Sequence, residues 1–182
     1  MGSSLVYINH CLLPPSHSAA ALTSQGPHLS VNKDQGKPQG VTMSWQSYID
    51  NLMALDCTED AAIVGCEPGQ ESVWAAHKGG QFTGITPAEV RSLVSKERSG
   101  LFATGCTLGG RKCTVLRDNL LQDSCTMDVR TKPTEQQQDT FCICIGKSHK
   151  ALVLLRGNKD APGGKLNPKV HDMIEHLKKS GF

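Results

Sequence analysis

Apolar positions recur along residues 43–182 with two different periods, and the change from one to the other marks out the elements. Trp45, Tyr48, Ile49, Leu52 and Met53 fall at i, i+3, i+4, i+7 and i+8, the stripe of an amphipathic helix. Ser44 stands just before it, where a hydroxyl can take an orphan N–H of the first turn. AAIVG (61–65) and SVWAAH (72–77) read as two strands joined across a Pro-Gly turn. In Thr86-Pro87-Ala88-Glu89, Thr is the N-cap, Pro takes the first helical position and Glu completes a capping box. The helix it opens is expected to bury Val90, Leu93 and Val94 and to stop near Gly100.

The period then falls to two. CTL and KCTVL flank Gly109-Gly110, a two-residue hairpin turn. Along 125–132, Cys125, Met127 and Val129 are expected to point inward, with Thr126, Asp128 and Arg130 outward. FCICIG and ALVLLRG are joined by the polar turn KSHK. Asn167-Pro168 is expected to open a last helix with stripe Val170, Met173, Ile174 and Leu177, ending at Gly181. Helix, hairpin, helix, antiparallel meander and helix make an α+β layered domain.

Residues 1–42 carry six Ser, four Pro and four Gly, with Tyr7 as the only aromatic. Such a segment buries too little apolar surface to offset its ordering entropy, so it is expected to be a disordered extension, with Met43 as the start of the folded unit. A length of 182 residues, 38% hydrophobic and 20% charged, suits one globular domain with this appendage. A net charge of +2 from nearly balanced signs argues against a dedicated nucleic-acid binder. The longest apolar runs, such as ALVLL at 151–155, are too short to span a membrane. The N-terminus lacks the basic and apolar regions of a signal peptide, and Val6 breaks the myristoylation pattern, which makes the cytosol the expected compartment.

Candidate chemistry is sparse. The eight cysteines form no CxxC pair and no zinc-ligand spacing, and read as reduced, mostly core residues. The glycine-rich run 105–112 resembles a phosphate-binding loop but lacks the GK[ST] ending and runs into a strand. Cys142 and Cys144 share a strand face, yet only His77 and His149 are at hand as bases, and core packing is the better reading. No carboxylate pair or metal-ligand set appears, so neither an enzyme nor a cofactor or metal is expected. What stands out is the aromatic placement. Trp45 and Tyr48 lie in the first turn of the first helix, and the last helix carries His176 and Leu177 before a terminal Phe182. Side by side, these ends would form a shallow aromatic groove with polar tips, suited to a polyproline II ligand.

Residues 43–182 resemble profilin of the vertebrate type over their whole length. The motifs are WQSYIDNLM (45–53), DAAIVG (60–65), SVWAA (72–76), ITPAEV (85–90), TLGGRKC (107–113), LRDNLLQD (116–123), MDVRTK (127–132), LVLLRG (152–157) and HLKKSGF (176–182). The resemblance implies a central antiparallel sheet, with the N- and C-terminal helices packed side by side on one face and shorter helices on the other. It also implies a non-catalytic cytoplasmic and cytoskeletal protein. Its partners would be monomeric actin, proline-rich assembly factors and phosphatidylinositol bisphosphate at membrane surfaces. The implied proline groove comprises Trp45, Tyr48, Asn51, Trp74, His176, Leu177 and Phe182, the last where the family often has tyrosine. The implied actin face comprises Phe102, Lys112, Thr114, Val115, Arg117, Arg130, Thr140, Gly163, Gly164, Asn167, His171 and Asp172. Lys112, Arg117, Arg130, Lys178 and Lys179 are the implied phosphoinositide contacts. Pro162 stands where relatives commonly have histidine, Pro168 replaces a lysine, Cys142 an asparagine and His171 a tyrosine. These departures leave a second reading, a module of this fold that keeps proline or lipid binding with weak or no actin function.

Overall fold

The computed structural model describes Ser44–Phe182; the expectation of a disordered extension over 1–42 falls outside the described residues. Helix α1 (Trp45–Met53) begins where its sequence directs, with the Ser44 hydroxyl accepting from the Ser47 N–H. Strands β1 (Thr58–Gly65) and β2 (Val73–Ala76) come next as a hairpin. A 3-10 turn at Gln81–Gly84, not signalled by the sequence pattern, precedes α2 (Pro87–Val94), whose capping box is fully formed.

The helix expected to run to near Gly100 is shorter. Helix α2 ends at Val94, and a one-turn helix α3 (Leu101–Thr104) comes after. The break has a tertiary cause. The Arg98 guanidinium donates to the Leu93 and Ser95 carbonyls at 2.8 and 3.0 Å, taking up acceptors at the end of α2. The same group is clamped by the Asp118 carboxylate at 2.5 and 2.6 Å.

Strands β3 (Cys106–Leu108), β4 (Arg111–Asn119), β5 (Thr126–Thr131), β6 (Cys142–Lys147) and β7 (Ala151–Gly157) form the meander. Gly109 and Gly110 have φ of 55° and 77°, as a hairpin turn that matches the strand twist requires. The sheet order is β2-β1-β7-β6-β5-β4-β3 with every pairing antiparallel. The pairing of β1 with β7 joins the two ends of the domain. It brings the helix before β1 and the helix after β7, α4 (Gly163–Lys179), to the same face of the sheet.

Both faces are covered, which explains the unbroken apolar runs. In β7, Ala151, Val153 and Leu155 pack under α1 and α4, while Leu152 and Leu154 pack on the face of α2 and α3. Coverage also overturns one expectation. Thr126, expected outward, is buried, and Asp128 is half-buried, because that face of β5 lies beside α4 rather than in water. Cys125 precedes the strand, half-buried with φ +51°. Met127 and Val129 are in the core as expected, and Arg130 is exposed. Gly146 admits α4 closely: a Cβ there would come within 2.5 Å of Val170 Cγ1 and 2.7 Å of Ile174 Cγ2.

Helix α4 starts earlier than Asn167-Pro168. Pro162 is the N-cap and Gly163 the first helical residue, so Pro168 sits in the second turn rather than at the first position. There its ring nitrogen has no hydrogen for the Gly164 carbonyl, and the helix gives up that bond. Leu166, which the expected start omitted, is buried and packs toward Gly157. Its burial draws the extra turn into the helix.

Candidate functional site

The first and last helices of the described domain meet in an aromatic cluster. The first turn of α1 supplies Trp45 and Tyr48, with ring centroids 5.6 Å apart. Strand β2 supplies Trp74, 4.8 Å from Trp45. Trp74 lies against β1, where a Cβ on Gly65 would meet its Nε1 at 2.7 Å, so glycine is what lets the indole settle there. Phe182 stands edge-on to Trp45 at 4.9 Å and to Trp74 at 6.1 Å. The terminus is held in place: Gly181 turns the chain at φ +86°, the Phe182 N–H donates to the Leu177 carbonyl at 2.9 Å, and its own carbonyl accepts from His149 N–H at 3.1 Å. His176, on the last turns of α4, lies 3.3 Å from the Tyr48 hydroxyl through Nε2.

Trp45, Tyr48, His176 and Phe182 are thus brought together, with Trp74, which the resemblance implied, beside them, all at least partly exposed. Two members of the expected set are placed differently. Leu177 is 0% exposed and forms the floor beneath the rings, not a contact surface. Asn51 lies one turn on, lining a cavity of about 230 Å³ with Tyr48, Lys169, Asp172, Met173 and His176. The arrangement presents rigid ring faces, a hydroxyl, an imidazole and two indoles. That suits an extended ligand whose rings pack flat and whose carbonyls lack internal partners.

A second face is built on β4, β5 and the start of α4. Arg117 Nε donates to Asp128 Oδ2 at 2.8 Å, and Asn167 Nδ2 donates to Asp128 Oδ1 at 3.0 Å. This carboxylate, which sequence reasoning did not assign to the site, fixes two of its expected residues. With Gly163, Gly164, Pro168 and His171 they line a cavity of about 550 Å³. Thr114 and Arg130 are cross-strand partners, and Arg130 Nε donates to Thr140 Oγ1 at 2.8 Å. Phe102 projects from α3 at 59% exposed, and Lys112 is exposed on β4. Asp172 lines the cavity between α1 and α4 instead.

Val115 is a correction. It is 4% exposed and belongs to the core, whereas Leu116, at a bulge between Val115 and Arg117, is 55% exposed. With Cys113 and Val115 inward, the strand's own alternation points Leu116 outward, so the signal was present in the sequence. The five basic residues differ in state. Arg117 is paired with Asp128 at 2.7 Å and Lys178 with Glu175 at 2.9 Å, while Lys112, Arg130 and Lys179 are exposed. Of the two thiols of β6, Cys144 is buried. Their sulfur partners are Arg130 for Cys142 at 3.3 Å and Asn167 for Cys144 at 3.5 Å, and burial with Asp128 alongside pushes the Cys144 thiol up.

Among known protein families, the model described as Profilin matches residues 43–182. The chain is 47% identical over 140 residues to Profilin-2 of Rattus norvegicus and 51% identical over 139 residues to Profilin-1 of Bos taurus. Each match covers 76% of this chain and 98% of the relative. Among solved structures, mouse profilin IIa in complex with a double repeat from the FH1 domain of mDia1 superposes with a TM-score of 0.72. That likeness has 45% identity and covers 77% of this chain and 100% of that one.

Proposed function

The chain belongs to the profilin family over residues 43–182, and from that premise we propose that it binds monomeric actin and delivers it to proline-rich assembly factors. The observation that carries this is the aromatic cluster of Trp45, Tyr48, Trp74 and Phe182 with His176, where α1 meets the end of α4. The mouse relative that binds an FH1 repeat supports taking that cluster as the proline-ligand groove. The actin face is the second surface: Phe102, Leu116, Lys112, Thr114, Arg117, Arg130, Thr140 and the start of α4. Function here is binding without catalysis, in the cytoplasm and at the cytoskeleton. Phosphatidylinositol bisphosphate competes with actin through Lys112, Arg117 and Arg130, with Lys178 and Lys179 as a separate basic pair. Residues 1–42 are an extension outside the binding domain.

A second reading has one specific observation behind it. Pro162 and Pro168 sit at the N-cap and in the second turn of α4, at the rim of the second face, where each removes a backbone donor. A protein that kept the groove and lost actin would be the result. One experiment decides between them: titrate the full chain with monomeric actin and, separately, with a polyproline peptide. Binding of both supports the adaptor. Peptide binding without actin binding supports the second reading, and loss of both refutes the two together.

A further inference from the structure

We propose that Cys106 and Cys113 form a thiol–disulfide exchange site, entered through a cationic cavity, whose substrate is an anionic disulfide of the glutathione type. The two residues face each other across the β3–β4 hairpin. Directly opposed residues of an antiparallel pair hold their Cα atoms about 4.5–5.5 Å apart, inside the roughly 4.4–6.8 Å that a disulfide spans. Both side chains enter the same core. No such partner faces the thiols of β6, since Cys142 and Cys144 lie opposite Arg130 and Asp128.

Access is one-sided. Cys113 is 0% exposed, whereas Cys106 lines a cavity of about 370 Å³ with Glu89, Thr104, Lys112 and Lys132 among its walls. Lys112 and Lys132 are exposed there and would draw the carboxylates of glutathione. Glu89, the one carboxylate in the lining, is engaged by the Thr86 N–H at 2.8 Å and the Gly110 N–H at 3.0 Å. Position sets their roles: Cys106 lines the cavity, and Cys113, behind it, donates to the Arg111 carbonyl at 3.6 Å. The neighbouring Cys113 thiol holds the Cys106 thiol below the ordinary cysteine range despite burial, while Cys113, beside that sulfur and buried, is pushed up.

Cys106 therefore attacks. Its thiolate takes one sulfur of oxidised glutathione, the S–S bond breaks, and the first glutathione leaves with the proton Cys106 gave up. Cys113 then attacks Cys106 Sγ, releasing the second glutathione, which takes the Cys113 proton. Two protein thiols are oxidised and one glutathione disulfide is reduced to two thiols. The new bond ties the edge strand β3 to β4.

The test uses the reduced full chain, incubated with oxidised glutathione, acid-quenched, alkylated and mapped by mass spectrometry. The unsubstituted chain should show Cys106 joined to Cys113, with the loss of two hydrogens. Cys113→Ala should hold one glutathione on Cys106, and Cys106→Ala none on Cys113. A Lys112→Gln, Lys132→Gln pair should slow the reaction with oxidised glutathione several-fold and leave that with neutral hydroxyethyl disulfide unchanged. Free Cys106 and Cys113 after the exposed thiols have reacted would overturn the proposal. So would a glutathione adduct that persists on Cys106 in the unsubstituted chain, or one on Cys113 in Cys106→Ala. Equal slowing with both disulfides would overturn the cationic entry. The map of the unsubstituted chain decides the main question even where a variant does not fold.

Discussion

Replacing Trp45 with alanine separates what the groove does for binding from what it does for folding. Trp45 touches three rings, Tyr48, Trp74 and Phe182, at centroid distances of 5.6, 4.8 and 4.9 Å. Aromatic pairs contribute about 0.5–1.5 kcal/mol each beyond area burial, so three lost pairs predict a destabilisation of roughly 1.5–4.5 kcal/mol. The ligand loses a stacking face and an indole donor together, a hot-spot loss of about 2 kcal/mol or more, or roughly thirtyfold in Kd. The remaining tryptophan makes the assay direct: Trp74 still lies in the groove, so its fluorescence reports the titration with a polyproline peptide. Trp45→Phe keeps a ring and drops the donor, and should fall between the two. Circular dichroism and thermal melting establish that the variant is folded at the assay temperature. Unchanged affinity in a folded Trp45→Ala protein would refute the assignment of the groove.

Pro168→Lys restores an N–H to the Gly164 carbonyl in the second turn of α4 and should stabilise the domain by about 1–3 kcal/mol, read as a rise in Tm. Combined with Pro162→His it should also tighten actin binding, and an equal or weaker affinity would count against the second face. Gly146→Ala drives a methyl into Val170 and Ile174 and should cost about 1–3 kcal/mol by denaturant unfolding; a neutral result would show that α4 shifts freely on the sheet. Asp118 carries a pH prediction. Burial raises its pKa, but the Arg98 pair and the Leu120 N–H outweigh that and hold it below the ordinary range. A depressed folded pKa contributes stability that is present above the unfolded value, about 3.9, and is lost as pH falls through the folded one. Asp118→Asn should therefore destabilise the protein near neutrality and flatten the acid limb of its stability profile, and an unchanged limb would refute the pairing.

What was legible in the sequence was what short range decides. Ser44, the Thr86–Glu89 capping box and Gly109-Gly110 each fix an element by bonds spanning two to four residues, and all three stand as read. What was not legible depends on distant partners. The stop of α2 at Val94, short of Gly100, rests on Arg98 meeting Asp118, twenty residues away. The start of α4 was misplaced because Pro162-Gly163-Gly164 reads as loop and Asn167-Pro168 as a helix opening, a local preference overridden by Leu166 packing near Gly157. The groove was legible as residue types on the first and last helices, while Trp74 entered only through the family resemblance. Its assembly needed the pairing of β1 with β7, a contact between the first and last strands. Val115 shows a different failure. There the strand's alternation pointed to Leu116, and the residue carried over by resemblance lay in the core.

Both faces draw on one helix, and its length makes them compatible. Asn167 and His171 belong to the second face and His176 to the groove. From Asn167 to His176 is nine residues (176 − 167), about 13–14 Å along the axis at roughly 1.5 Å per residue. A proline ligand stacked on the rings of the cluster would therefore leave the start of α4 open. Between them, on the same helix, Lys169 and Asp172 line the small cavity that Tyr48 and Asn51 of α1 close from the other side. Two ligands held this way meet no shared side chain except through that strip. An adaptor needs such an arrangement: two sites rigidly related by one packed helix, close enough to pass a bound molecule between partners and far enough apart that neither must leave for the other to bind.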